Sequence, residues 1–175
     1  AFLVRSTFEK DYIISGLGVS ESMVRQVPLS YGNEPTKISG IEKENFCLHI
    51  SLLADTRKNV KRLVEAAIKY NFKLVLGGKL RDKSEENLLN SWIAGHSNIK
   101  YCGFLSNEDM EKLYAKAKVF ALPSIFEGVG LVALEAAVRG CDIVITNQGG
   151  PKEYYNNLAI MVNPNSVDEI GKAVT

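Results

Sequence analysis

The sequence is poor in the residues that build the commonest metal and disulfide sites. Its 175 residues include only three cysteines, Cys47, Cys102 and Cys141, and two histidines, His49 and His96. The cysteine count is odd and no Cys-x-x-Cys pair occurs, so a disulfide scaffold is excluded. Neither histidine has a Cys or carboxylate at ligand spacing, which argues against a histidine-based metal site. Each cysteine lies in or beside an apolar run, the pattern of buried free thiols in a reducing compartment. His49 falls in a candidate strand and reads as a core or strand-end residue. No Asp-x-Asp pair is present to hold a divalent cation. Neither sign of charge dominates: Lys+Arg total 21, Asp+Glu total 20, and the formal net charge is +1. A general nucleic-acid binder carries a basic excess, so that class is disfavoured. No apolar run approaches the ~18 residues of a membrane span. The sequence opens on Ala1 with no signal-peptide pattern, and reads as a piece of a longer protein.

What is there is an ordinary globular composition, 46% apolar and 23% charged, long enough to bury a core. Residues 1–40 differ from the rest. Val4 to Leu17 reads as a short strand and a helix, stopped by Gly16 and Gly18. Val24 to Pro28 reads as a short edge strand ended by proline. Ser30 to Gly40 lacks periodicity and reads as a linker or long loop. From residue 45 a regular alternation begins. The strand candidates are Phe46–Leu52, Phe72–Leu76, Ile99–Gly103, Val119–Pro123, Asp142–Thr146 and Ala159–Val162, short and apolar as buried parallel strands are. Helical spacing lies between most of them, in Val60, Leu63, Val64 and Ala67 and again in Met110, Leu113, Tyr114 and Ala117. Ser106-x-x-Asp109 and Ser166-x-x-Glu169 are capping boxes. The expected fold is α/β: a Rossmann-like three-layer α/β/α arrangement around a parallel sheet of about six strands. Ligands of such sheets bind at the carboxyl ends of the strands, near the topological switch point.

The most informative stretch runs from Leu122-Pro123-Ser124 through Glu127-Gly128-Val129-Gly130-Leu131 to Glu135. A strand ends, a loop carries Glu127, two glycines follow, and a helix begins near Gly130. Glycines there allow close approach of a ligand, and the helix N-terminus offers N–H groups suited to phosphate. Glu135 is the odd residue. From Val129 to Val138 all others are apolar or glycine, so the helix is expected to be buried almost all round. A carboxylate on such a helix needs polar partners, either an arginine or backbone group, or the hydroxyls of a ligand in the cleft. The same segment matches the dinucleotide fingerprint as Gly128-x-Gly130-x-x-Ala133. In that fingerprint the strand runs directly into the first glycine and an acid closes the next strand. Here Ser124–Glu127 intervenes and the next strand ends Ile145-Thr146-Asn147, which speaks against NAD. Arg57 and Lys58 precede a helix whose dipole opposes positive charge, and so make sense facing an anion. Lys61 and Arg62 read as solvated. The pairs Gly77-Gly78 and Gly149-Gly150 follow strands and fall on the same rim as Lys58 and Glu127.

Together these segments resemble the nucleotide-sugar-binding domain of GT-B glycosyltransferases of the retaining, group 1 type. The residues carrying the resemblance are Arg57-Lys58-Asn59-Val60, Gly77-Gly78, Gly103-Phe104-Leu105-Ser106, Leu122-Pro123-Ser124, Glu127-Gly128-x-Gly130, Glu135-Ala136 and Gly149-Gly150-Pro151-x-Glu153. Residues 4–30 resemble the end of that family's N-terminal domain. The layout implied is residues 1–40 as the end of an acceptor-binding domain and its linker, and 41–175 as a donor-binding domain. By position, Lys58 is expected to contact the donor diphosphate and Glu127 the sugar hydroxyls. The Gly128–Gly130 amides, with Val129 and Leu131 beside them, would hold phosphate. Glu135 would bind the ribose, Phe104 and Leu105 would flank the base, and Arg57, Gly77 and Gly78 would border the site. The family's usual Gly-Arg after the first strand is replaced by Ser51-Leu52, with Arg57 as the substitute cation.

The implied reaction moves a sugar from a nucleoside-diphosphate sugar, UDP- or GDP-linked, to a glycan or lipid-linked acceptor. It needs no metal or other cofactor, and Lys58 and Glu127 are its expected catalytic groups. No nucleic-acid partner is implied. The expected setting is the cytoplasm, with peripheral association at the inner face of the membrane. Two alternatives share the fold: a non-catalytic nucleotide- or partner-binding module, and a phosphorylase-type enzyme, for which no lysine stands in a cofactor motif.

Overall fold

The computed structural model describes residues 1–29 and 42–175. The expected linker from Ser30 to Gly40, and with it the expected domain boundary, lies outside the described residues. The N-terminal segment forms a small unit. Strand β1 (Phe2–Val4) pairs in parallel with β2 (Val24–Gln26) in a two-stranded sheet. Between them Ser6 caps helix α1 (Thr7–Asp11) by accepting from the Glu9 N–H at 3.1 Å. The helix widens into a π-turn over Tyr12–Gly16.

The rest alternates strictly: β3 (Glu44–Ile50), α2 (Val60–Tyr70), β4 (Leu74–Gly77), α3 (Lys83–Ile93), β5 (Ile99–Tyr101), α4 (Asn107–Lys116), β6 (Ala117–Leu122), α5 (Leu131–Val138), β7 (Asp142–Thr146), α6 (Pro151–Tyr155), β8 (Ile160–Val162) and α7 (Val167–Val174). The strand order is β5-β4-β3-β6-β7-β8 and every pairing is parallel. This is the Rossmann-like three-layer arrangement.

The period of two along the strands builds both layers of core at once. Val119 and Ala121 of β6, with Val144 of β7, face Leu63, Val64, Leu89 and Ile170 of α2, α3 and α7. Phe120, Leu122, Ile143 and Ile145 face the other way, onto Tyr114, Ala133 and Ala136 of α4 and α5. The Tyr114 and Phe120 rings meet edge to face at 5.7 Å. Both serines cap their helices, Ser106 Oγ accepting from the Asp109 N–H and Ser166 Oγ from the Glu169 N–H, each at 3.1 Å, but the acids do not reach back to the serine N–H: Asp109 accepts from the Ser106 hydroxyl and Glu169 from the Asn163 N–H.

Three expectations need correction. Ala117 belongs to β6, because α4 passes straight into that strand. Helix α5 is not buried all round: only Ala133 and Ala136 are buried, while Leu131 is 47% exposed. Two small residues let the helix sit close on β6 and β7, Val132 and Leu134 pack half-buried against the same core, and Leu131 and Ala137 look outward. Arg62 is not a solvated charge, since Nη1 donates to Asn59 Oδ1 at 3.0 Å and to the Pro164 carbonyl at 3.1 Å.

Candidate functional site

The chain leaves β3 toward α2 and β4, and leaves β6 toward α5 and β7. These connections diverge, opening a crevice between the carboxyl ends of β3 and β6. One wall is a 3₁₀ turn, Thr56–Lys58, whose start is capped by Asp55 Oδ1 accepting from the Arg57 N–H at 2.9 Å. Asn59 ends the turn at φ +58°, and its buried Nδ2 donates to the carbonyls of Pro123 (2.8 Å) and Pro164 (2.7 Å). The Ile125 N–H donates to the Arg57 carbonyl at 2.8 Å. The turn is thus tied to the facing wall by main chain and side chain.

The facing wall is the segment 123–130. Lys58 Nζ and Glu127 Oε2 form an ion pair at 2.8 Å across the crevice, and the buried Ser124 hydroxyl donates to the same oxygen at 3.0 Å. The loop that carries Glu127 is held from behind by the glycine pair after β7. The Gly150 N–H donates to the Glu127 carbonyl at 3.1 Å. A β-carbon on Gly149 would collide with that carbonyl, and one on Gly150 with the carbonyl of Gly128. Helix α5 starts from Gly130, at φ +78°, with no side chain capping it. The Tyr155 hydroxyl donates to the Gly130 carbonyl at 2.7 Å and fixes the turn. A cleft of about 400 Å³ results, lined by Lys58, Arg57 and residues 126–132, with Arg5 and Glu9 at its lip.

Under this floor lies His49, fully buried. A carbonyl can only accept, so Nδ1–H donates to Ala121 O at 2.8 Å, and Nε2 accepts the Ser51 hydroxyl at 2.7 Å. Burial, with a smaller contribution from the Lys58 charge, lowers its pKa to about 4. The ring is therefore neutral, a core residue at a strand end as expected.

The N-terminal unit reaches the cleft through long-range contacts. Glu153 accepts the N–H groups of Thr7 (2.9 Å) and Phe8 (3.1 Å), the free donors at the start of α1. Despite some burial penalty, those bonds hold the Glu153 carboxyl below the usual carboxylate range. Phe8 packs on Phe126, ring centroids 5.1 Å apart.

Of the expected site residues, Arg57, Lys58, Glu127, Gly128, Val129, Gly130 and Leu131 line one cleft, with Val129 buried and Leu131 half exposed. Arg57 is paired with Asp55, Nη2 to Oδ2 at 2.7 Å. Glu135 lies further along α5 and outside the residues lining that cleft. Its Oε2 accepts from the hydroxyl of Tyr114 at 3.2 Å, and its main-chain carbonyl accepts from Arg139 Nη1 at 3.5 Å. Burial, then the Glu135 charge, pushes the Tyr114 hydroxyl well above its ordinary pKa. Gly77 is covered by Leu105, which is itself 9% exposed, and Gly78 packs against the Ser51 carbonyl. Phe104 stands 77% exposed beside them. Residues 123–130 separate β6 from α5, unlike the tight turn of a dinucleotide fingerprint. The sequence reading missed Arg5, Glu9, Ser124 and the capping role of Glu153. Ser124 and Glu153 had a signal, as members of Leu-Pro-Ser and of Gly-Gly-Pro-x-Glu.

This geometry agrees with what the chain is similar to. Residues 33–175 match the model of the family described as glycosyl transferases group 1. The chain belongs to the group 1 glycosyltransferases. It is 29% identical to the O-antigen chain mannosyltransferase B of Escherichia coli, over 73% of this chain and 35% of that protein. It is 32% identical to an uncharacterized glycosyltransferase of Methanocaldococcus jannaschii, over 97% of this chain and 51% of that one. The chain thus spans about half or less of the length of these relatives. Among solved structures it superposes on sucrose-phosphate synthase from Thermosynechococcus elongatus with a TM-score of 0.80 at 20% identity, over 98% of this chain and 47% of that one. Anabaena HepE in complex with UDP gives a TM-score of 0.80 at 20% identity, over 98% and 52% of the respective chains. The shared fold is the Rossmann-like half of a GT-B glycosyltransferase. Among the described residues no helix is long and apolar enough to cross a membrane.

Proposed function

We propose that this chain is the donor-binding domain of a retaining, metal-independent glycosyltransferase, which moves a sugar from a nucleoside-diphosphate sugar to a glycan or lipid-linked acceptor. The observation that carries the reading is the crevice at the sheet's switch point, where Lys58, Glu127 and the uncapped start of α5 meet. A diphosphate leaving group gains negative charge as the glycosidic bond breaks. Lys58 and the amides from Gly128 to Gly130 neutralise it without a metal ion. The donor exchanges with Glu127 for Lys58, and the released Glu127 carboxylate orients the sugar hydroxyls. Glu135, one side of its carboxylate held by Tyr114, accepts from the ribose. Arg57 borders the diphosphate, and Phe104 and Leu105 the base. The UDP in the similar HepE structure and the mannosyltransferase among the relatives support this substrate class.

We place residues 1–40 at the end of an acceptor-binding domain, in a cytoplasmic protein associating peripherally with the membrane that carries the acceptor. The 175-residue chain alone then binds donor without turnover. A second reading, a non-catalytic module, is favoured by Leu52, which leaves an apolar side chain, 51% exposed, where the resemblance implies an arginine.

Calorimetric titration with UDP and GDP tests the reading. One of the two binds the chain, and Glu135→Ala weakens it roughly ten- to a hundredfold, the loss of a charged hydrogen bond worth about 1.5–3 kcal/mol. Equal affinities would remove the role assigned to Glu135. Binding of neither nucleotide would favour the module.

A further inference from the structure

The cleft has a second cationic wall, supplied by the N-terminal unit. Arg5 enters its lip, and its backbone is fixed to the main sheet's own elements, because the Tyr154 hydroxyl donates to the Arg5 carbonyl at 2.7 Å. The helix that follows Arg5 is held by Glu153. The guanidinium and the Glu9 carboxylate lie together over Gly128: Glu9 Oε1 stands 3.2 Å, Arg5 Nη2 3.3 Å and Arg5 Cζ 3.6 Å from the point a β-carbon on that glycine would occupy. Glu9 engages one edge of the fork. Nε–H donates to Oε2 at 3.2 Å and Nη2–H to Oε1 at 2.5 Å. A guanidinium carries five N–H donors; among the described residues the edge bearing Nη1 has no partner, and the side chain is 51% exposed. A planar fork of this kind matches two oxygens of a phosphate. Each cation of the cleft rests on a carboxylate, Arg5 on Glu9, Arg57 on Asp55 and Lys58 on Glu127.

We propose, resting on the donor-site reading above, that Arg5 is a phosphate-contacting residue that holds the β-phosphate of the nucleoside diphosphate against the Gly128–Gly130 turn. The assignment to the β-phosphate follows from position. Arg5 sits at Gly128, the end of the turn away from Glu135, and the nucleoside is assigned to the Glu135 end. The phosphate within reach of Arg5 is the one remote from the ribose. The N-terminal segment therefore completes the donor site rather than serving only as a connection.

Calorimetry on the 175-residue chain tests this with UDP, GDP, UMP and GMP as probes. Arg5→Met keeps the aliphatic stem and removes the guanidinium. It is expected to weaken the bound diphosphate at least tenfold and leave the matching monophosphate within twofold. Arg5→Lys, which keeps the charge and guards against a folding defect of the first variant, falls between. An Arg5→Met chain that binds diphosphate like the parent, while Lys58→Met binds it weakly, overturns the inference and leaves the donor reading standing. Equal losses for diphosphate and monophosphate overturn the β-phosphate assignment. A parent chain that binds no diphosphate overturns both.

Discussion

Lowering the pH to 5 is expected to destabilise the chain chiefly through one side chain, His49. Its ring is fully buried, with both nitrogens engaged in a neutral pattern. Its pKa is about 4 in the folded chain against an ordinary 6.5. The unfolded state therefore binds a proton that the folded state refuses throughout this window. The stabilising contribution of the neutral ring is complete above pH 6.5 and is lost as pH falls toward 4. Between pH 7.5 and 5 the loss comes to about 2 kcal/mol, with a slope near 1.2 kcal/mol per pH unit at pH 5. For a chain of this size that lowers the melting temperature by roughly 4–8 °C. The acids held below their ordinary pKa, among them Glu9, Asp55, Glu153 and Asp168, add a smaller loss of the same sign that grows mainly as pH falls below this window. Urea melts at half-unit steps from pH 7.5 to 5, on the parent and on His49→Asn, read the slope directly. The variant is expected to start less stable and to lose most of the pH dependence. An unchanged slope in His49→Asn would refute the argument.

Two further outcomes follow from the walls of the crevice. Gly149→Ala places a β-carbon against the Glu127 carbonyl at a backbone φ of +93°, and is expected to cost about 1–3 kcal/mol, read by denaturant melts, and to weaken nucleotide binding by displacing Glu127. Asn59→Ala removes the amide that bridges Pro123 and Pro164 and is expected to destabilise by about 1–3 kcal/mol. Asn59→Gly, which restores the left-handed φ but not the amide, should recover only part of that loss.

Much of this was legible in the residues. The six main strands announce themselves as short apolar runs, and β7 matches its expected bounds, Asp142–Thr146, without a shift. The loop with Glu127 and the turn with Lys58 were legible as a pair because both follow strands that end at the switch point. Other features depend on what covers an element. The apolar composition of α5 says only that it tolerates burial, and the structure buries two alanines of it. Contacts between distant segments left no local trace. Glu153 meets Thr7 across 146 positions, and nothing near Arg5 in sequence marks it as facing a phosphate cleft. The twist from α4 straight into β6 at Ala117 was hidden for a related reason: alanine fits helix and strand alike, and sheet pairing with Glu44 decides.

The central claim is that the start of α5 and Lys58 receive a nucleotide's diphosphate. Amide chemical-shift mapping of the ¹⁵N-labelled chain during titration with UDP or GDP reads it most directly. Binding is expected to move the amide signals of Gly128, Val129, Gly130 and Leu131 first and furthest, with Lys58 following as it leaves Glu127. Saturable binding that leaves those five signals in place, or shifts confined to another face of the sheet, would contradict it.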